Sequence, residues 1–275
     1  MAQGNHHYVL GRDKEETSRL EAQHALWAPV TEAFLDRLEL PDGARVAELG
    51  CGPGLVLPAL RERAGASGSV LAIDGAADWL VGIDSKIEAE GWGNVTTLHA
   101  DLRELELEEG AYDLLFSRWV FSFLPDPEAI IKRLSKALAP GGYLAIQDYN
   151  HYGVSAYPHS DGFWAIIQAT RNMYTSEGGD AFVAGRVPPA LAAAGLELVD
   201  VTPNVFAGGP GTAVFQWGHD FFSSDSQLDN MQACGGLTDE DRALFKEEWP
   251  KLCATPGAMF YSPFLLDAAG RKPKA

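Results

Sequence analysis

The stretch Val46-Ala47-Glu48-Leu49-Gly50-Cys51-Gly52-Pro53-Gly54 constrains this chain more than any other. A short apolar run ends in a glycine-rich turn, and residues 54–64 then carry a helical pattern. Strand, turn and helix in that order aim backbone N–H groups and a helix N-terminus at a ligand beside the carboxyl edge of a sheet. The glycines permit close backbone approach. Their spacing is G-x-G-x-G, which differs from the G-x-G-x-x-G of dinucleotide sites. Glu48 stands just before the turn. A carboxylate there repels a pyrophosphate and suits a ligand with a cationic end.

Around this loop, strand and helix patterns alternate. Arg45–Leu49, Ser69–Ile73, Val95–His99, Tyr112–Ser117 and Tyr143–Gln147 read as strands. Helical stretches at 54–64, 78–90 and 127–138 separate them, with a turn at Pro140-Gly141-Gly142. Such alternation predicts an α/β fold, a Rossmann-like, doubly wound, mostly parallel sheet with helices on both faces. Residues 14–38 read as a preceding helix that Pro29 should kink or split. The rhythm breaks over 149–186, resumes for a helix at 187–194 and a strand at 197–201, and breaks again over 204–254. The stretch 204–236 reads as irregular and Gly-rich. Thr238–Lys251 reads as a capped helix, with Thr238 as cap and Asp239, Glu240 and Asp241 in the first turn. Residues 258–268 read as a last strand. The expected organisation is an N-terminal helical segment (1–40), an α/β core (41–148), a cap insertion (149–186), a core continuation (187–203), a second cap insertion (204–254) and a last strand and tail (255–275).

Two further acids end strands. Asp74 closes Leu71-Ala72-Ile73-Asp74, 20 residues beyond Gly54. A carboxylate there either accepts the hydrogen bonds of a ribose diol or caps the helix that follows. Asp101, in His99-Ala100-Asp101-Leu102, can accept from an adenine amino group, with the Leu102 backbone reading the ring edge.

Taken in order, ELGCGPG, AIDGA, HADL, YDLLFSRWVFSFLPDP and LAPGGYL resemble the core of a class I S-adenosylmethionine (SAM)-dependent methyltransferase. The chain is similar to the branch that includes the ubiquinone and menaquinone biosynthesis C-methyltransferases and related small-molecule enzymes. The resemblance runs from about 44 to 148. It implies a seven-stranded sheet, SAM as cofactor and S-adenosylhomocysteine (SAH) as product. It places Glu48, Gly50 and Gly52 around the methionine moiety, with Cys51 and Gly54 in the same loop. It gives Asp74 the ribose, Gly75 and Trp79 the adenine face, and Ala100, Asp101 and Leu102 the adenine edge. Trp79 stands where Met or Leu is more usual. Ser117 and Arg118 fall beside the methionine amino group and the reacting methyl. An N-terminal segment that folds over the cofactor in some relatives adds Tyr8, Arg19 and Gln23.

Methyl transfer is chiefly a problem of alignment. A base is needed only for a proton-bearing nucleophile of high pKa. His151, Arg118 and Tyr149 are the expected catalytic residues, His151 because its pKa lies nearest neutrality. The alternative for His151 is a surface-loop or pocket-lining role. Trp119 either packs in the core or turns toward incoming substrate, and Arg118 could instead pair with a structural carboxylate. Aromatic sets in the two insertions, Tyr149 to Tyr174 and Phe215 to Phe222, either form core or line a pocket for an apolar, aromatic or amine acceptor, and the net charge makes a small neutral or cationic ligand the easier one to accommodate.

Composition narrows the partners. There are 21 basic and 38 acidic residues, a net charge of −17, which repels nucleic-acid backbones and anionic membranes. No run of about 18 apolar residues is present to span a bilayer, and the start lacks a signal-peptide pattern. Three sparse cysteines, Cys51, Cys234 and Cys253, suggest a reducing compartment, so a cytoplasmic protein is expected. No His or Cys spacing suggests a metal. A homodimer is compatible with this reading. The competing readings are a SAM-binding protein without methyl transfer, as a scaffold or recruited to another reaction, and a nicotinamide-dependent oxidoreductase.

Overall fold

The computed structural model describes residues 14–176 and 178–274. Along the chain the elements are α1 (Lys14–Asp36), β1 (Arg45–Leu49), α2 (Leu57–Ala64), β2 (Ser69–Asp74), α3 (Ala77–Glu90), β3 (Val95–His99), β4 (Tyr112–Arg118), α4 (Pro127–Leu134) and β5 (Leu138–Asn150). There follow β6 (Ser155–Tyr157), α5 (Asp161–Ser176), α6 (Val187–Ala193), β7 (Glu197–Asn204), β8 (Ala207–Gly208), α7 (Ala213–Ser223), α8 (Asp225–Ala233), α9 (Asp239–Ala254), β9 (Met259–Tyr261) and β10 (Phe264–Arg271). The chain divides into two compact units. One holds Ala28–Asn150, Phe182–Asn204 and the described residues from Leu265 onward. The other holds the described residues up to Trp27, His151–Ala181 and Val205–Phe264.

The first unit is built on a seven-stranded sheet in the order β3-β2-β1-β4-β5-β10-β7. The pairs β1–β2, β2–β3, β1–β4 and β4–β5 are parallel, and β10–β7 is antiparallel. This is the doubly wound sheet that the alternating pattern predicts. β1 is covered on both faces, so its side chains divide between two cores. Val46 joins Phe34, Leu57, Leu60 and Phe116, while Ala47 and Leu49 join Leu115, Ile130, Ile131 and Leu144. A near-continuous apolar strand is the signature of such double burial. The chain runs outward from β1 to β3 and then returns to β4 on the other side. That reversal opens a crevice between the carboxyl ends of β1 and β4, where ligands of such sheets bind.

The second unit has a three-stranded antiparallel sheet, β6-β9-β8, with helices α5, α7, α8 and α9. Its aromatic residues pack on one another. Phe163 stacks on Trp249 at 4.8 Å and meets Phe222 edge-on at 5.6 Å, and Trp217 and Phe222 both reach Phe260. Thr238 and Asp241 form the reciprocal cap of α9 that the sequence suggests.

Several local expectations are corrected. α1 runs unbroken through Pro29, although the boundary between the two units falls beside it. α2 starts at Leu57, because the glycine turn extends past residue 54. Pro140–Gly142 is not a turn ahead of a strand but lies within β5, whose register against β4 shifts between Tyr112 and Leu114. Gly141 and Gly142 also exchange backbone bonds with Lys272, at 2.9 and 2.8 Å. The stretch 204–236 is largely helical rather than irregular. α7 is a poor helix former by composition and owes its conformation to the burial of Phe215, Trp217, Phe221 and Phe222. Thr212 caps α7 by accepting from the Phe215 amide, and Ser224 caps α8 by accepting from the Gln227 amide. The last strand is two strands, β9 and β10, broken at Ser262-Pro263.

Candidate cofactor and active site

Glu48 sits at the carboxyl end of β1 with only 3% of its surface exposed. Burial pushes its carboxyl up to about 8, against the opposing pull of the Arg118 guanidinium. Its Oε2 is buried without a hydrogen-bond partner. A buried, unsatisfied carboxylate oxygen is costly unless a donor arrives. The group that fits is a compact cation with several donors, such as an amino-acid ammonium.

The glycine turn beside it divides its labour. Gly50 and Cys51 both donate their N–H groups to the Ile73 carbonyl, at 2.8 and 2.9 Å, which ties the turn to β2. Gly50 has φ +71°, and a Cβ there would lie 2.5 Å from a Val120 methyl. Gly52 has φ +51° and open space where a Cβ would be. Gly50 therefore serves packing, whereas Gly52 keeps a face clear. We expect Gly50→Ala to destabilise the fold by at least about 2 kcal/mol more than Gly52→Ala, since both meet left-handed strain but only the former meets a β-branched wall. Urea unfolding of the two variants measures this; equal losses would refute it. Gly54 packs on Leu57 and Ile83. Cys51 is buried in the core, and burial together with the Glu48 and Asp74 charges pushes its thiol far up, so it is inert.

Asp74 accepts from the Gly52 amide at 2.8 Å and from the Ala76 amide at 2.7 Å. It thus braces the glycine turn and also starts α3, so the capping alternative is part of its role. It remains half-buried. Gly75 is exposed, and Trp79 is half-buried on α3. Ala100 donates its N–H to the Asp74 carbonyl at 3.1 Å. Asp101 accepts from the Arg103 amide and is gripped by the Arg103 guanidinium. Arg103 carried no signal beyond its closeness in sequence. The Leu102 side chain belongs to the core.

At the end of β4, Ser117 is fully buried and donates to the Leu49 carbonyl at 3.0 Å, bridging β4 to β1. Arg118 is buried too. Desolvation pulls its guanidinium down to about 10, partly opposed by Glu48 and Tyr149. It donates to Thr31 Oγ1 at 2.9 Å; Thr31 donates to Gln147 Oε1 at 2.6 Å; Gln147 donates to Asp267 Oδ1 at 2.6 Å. Arg37 and Asn204 hold the far oxygen of Asp267 at 2.7 and 3.0 Å. Sequence reasoning missed Thr31, Gln147 and Asp267, which lie more than a hundred residues apart along the chain and carry no local motif. Tyr149 stacks on Trp119, with centroids 5.7 Å apart.

The first unit holds Glu48, Gly50, Cys51, Gly52, Gly54, Asp74, Gly75, Trp79, Ala100, Asp101, Leu102, Ser117, Arg118 and Tyr149. Three expected site residues belong to the second unit. Arg19 donates to Gln23 at 2.6 Å and lies over the Phe221 ring. His151 is 2% exposed, and burial plus the Arg171 charge pulls it down to about 3. A ring of that pKa is a weak base at neutral pH, so the environment does not favour the general-base role expected from sequence. Tyr8 lies outside the described residues.

Residues 46–142 match the methyltransferase domain family. A trans-aconitate 2-methyltransferase of Deinococcus radiodurans is 30% identical over 223 residues, 75% of this chain and 80% of that protein. An arsenite methyltransferase of Aquipseudomonas alcaligenes is 36% identical over 116 residues, but the match spans only 40% of this chain and 34% of that protein. Among solved structures, the [4+2]-cyclase SpnF shares the fold, with TM-score 0.59 and 18% identity over 90% of this chain and 82% of that one. No helix among the described residues is long and apolar enough to cross a membrane. With its β1–β4 crevice, its buried Glu48 and these relatives, the chain belongs to the class I SAM-dependent methyltransferases.

Proposed function

We propose that this chain transfers the methyl group of SAM to a small-molecule acceptor held in the β1–β4 crevice, releasing SAH. The observation that carries this reading is the buried, unpartnered Glu48 Oε2 at the end of β1, which suits the ammonium end of SAM, followed in the chain by a turn whose Gly52 has open space where a Cβ would be. Asp74 then accepts from the ribose and Asp101 from the adenine amino group. When bound, SAM supplies an electrophilic methyl on a positive sulfur. The protein's part is to orient, to exclude water and to hold the acceptor in line. Ser117, bonded to β1, and Arg118, held through Thr31, keep the crevice walls rigid. No base is assigned; an acceptor that arrives ionised needs none. Three unpaired cysteines suit a reducing, cytoplasmic setting.

The test is SAH release from SAM over an acceptor panel that includes trans-aconitate and arsenite. Release dependent on one acceptor is the expected result. The fold is shared with a cyclase, so it does not by itself name the reaction. SAH binding without turnover on any acceptor would favour a SAM-binding protein recruited to other work. Absence of SAH binding by folded protein would sink both.

A further inference from the structure

Trp119 follows β4 directly and has φ +58°, a left-handed conformation that is a genuine outlier for a bulky side chain. Such strain persists only where the surroundings over-determine it, and it clusters at ligand-binding positions. Here the surroundings do so. The Trp119 N–H donates to the Gln147 carbonyl at 2.9 Å. Asp148, fully buried, accepts from the Val120, Ser122 and Tyr149 amides at 3.1, 3.2 and 2.8 Å and so clamps the turn that leaves Trp119. The ring stacks on Tyr149 at an interplanar angle of 18°, and the Arg118 guanidinium lies 4.2 Å from its centroid. Val120, the next residue, abuts the glycine turn at Gly50.

The backbone is bonded to β5 and the ring is held by Tyr149 and Arg118, yet the indole Nε1–H is buried with no hydrogen-bond partner. A buried donor left open costs about 1–3 kcal/mol, which an arriving acceptor atom recovers. We infer that Trp119 is an acceptor-binding residue whose indole N–H donates to a carboxylate oxygen of the methyl acceptor. The Arg118 guanidinium lies 4.2 Å from the ring centroid, which puts a fixed positive charge beside this N–H. An anionic oxygen is the acceptor that such a setting favours, and a carboxylate arrives ionised at neutral pH. The cofactor's own carboxylate is the competing partner, and SAH alone tests it. This inference rests on the methyl-transfer reading above and names its acceptor class.

The experiment uses the full chain saturated with SAH, with trans-aconitate as the probe. The Trp119 indole N–H resonance is assigned through its contact with the Tyr149 ring, so assignment does not depend on any variant folding. The expected result is that trans-aconitate moves this resonance and leaves the other indoles in place. Trp119→Phe, which keeps the ring and its stacking, should weaken trans-aconitate about 10–100-fold, the worth of a hydrogen bond to a charged group, and change SAH affinity less than about twofold. If SAH alone moves the resonance, the N–H serves the cofactor and the inference is wrong. If SAH binds but trans-aconitate leaves Trp119 undisturbed, or binds the Phe variant equally well, carboxylate recognition by Trp119 is overturned while methyl transfer stands. If SAH itself fails to bind, the methyl-transfer reading falls and takes this inference with it.

Discussion

Glu48→Gln is expected to weaken SAH binding about 10–100-fold while making the unliganded protein harder to melt. The two effects have one origin. The ammonium bond is lost because glutamine carries no charge. The stability gain comes from the raised carboxyl, which sits at about 8 against an ordinary value of 4.5. A group raised on folding stabilises fully only below its unfolded value, and that contribution is lost as pH rises toward 8. Glutamine resembles the protonated acid at every pH, so it escapes the loss. At pH 7 the variant should melt several degrees above the wild type, at about 2–4 °C for each kcal/mol, and near pH 4 the two should coincide. In the wild type, SAH binding should release close to one proton at pH 7. Its affinity should fall by up to about tenfold per unit below pH 8, because the acid must ionise to meet the ammonium. Calorimetry in buffers of different ionisation enthalpy reads the proton directly. A variant that binds SAH as the wild type does would remove Glu48 from the cofactor site.

The second large effect is expected at Asp148. Its carboxylate is fully buried, and burial pushes it up to about 6 even though backbone amides hold it. Asp148→Ala leaves the Val120, Ser122 and Tyr149 amides without their acceptor and removes the clamp on the strained Trp119 backbone. Unsatisfied buried donors cost about 1–3 kcal/mol each, so a loss of roughly 3–5 kcal/mol and a fall in Tm of about 10 °C are expected. Asp148→Asn keeps one acceptor oxygen and should lose less. Urea unfolding gives the free energies, and near-ultraviolet circular dichroism follows the Trp119–Tyr149 stack. A loss below about 1 kcal/mol for the alanine variant would show that water or a rearranged turn replaces the clamp.

Where sequence reasoning succeeded, the signal was local. Burial of β1 on both faces demands consecutive apolar residues, and a turn with positive φ favours glycine, so Val46–Gly54 announced a strand and its turn in nine residues. Asp74 was readable as the last residue of the apolar β2, whereas Asp101 lies two residues past β3. Capping is local too, and Thr238 with Asp241 was found by it. α7 escaped because its helix depends on burying aromatic side chains, a tertiary term that overrides weak propensity. Strand β5 was misjudged at Pro140–Gly142 because pairing with Lys272 supplies bonds that no local pattern announces.

The sequence by itself determined the order of the strands and helices of the α/β core from β1 to β5, because periodicity and turn chemistry act between near neighbours. Only the tertiary structure decided what the site residues experience. Desolvation raises Glu48, lowers Arg118 and depresses His151, and burial depth is a property of the whole fold. The chain from Arg118 through Thr31 and Gln147 to Asp267 joins α1, β4, β5 and β10, which are distant in sequence. Trp119 is left-handed because Asp148, 29 residues later at the end of β5, holds the turn that follows it.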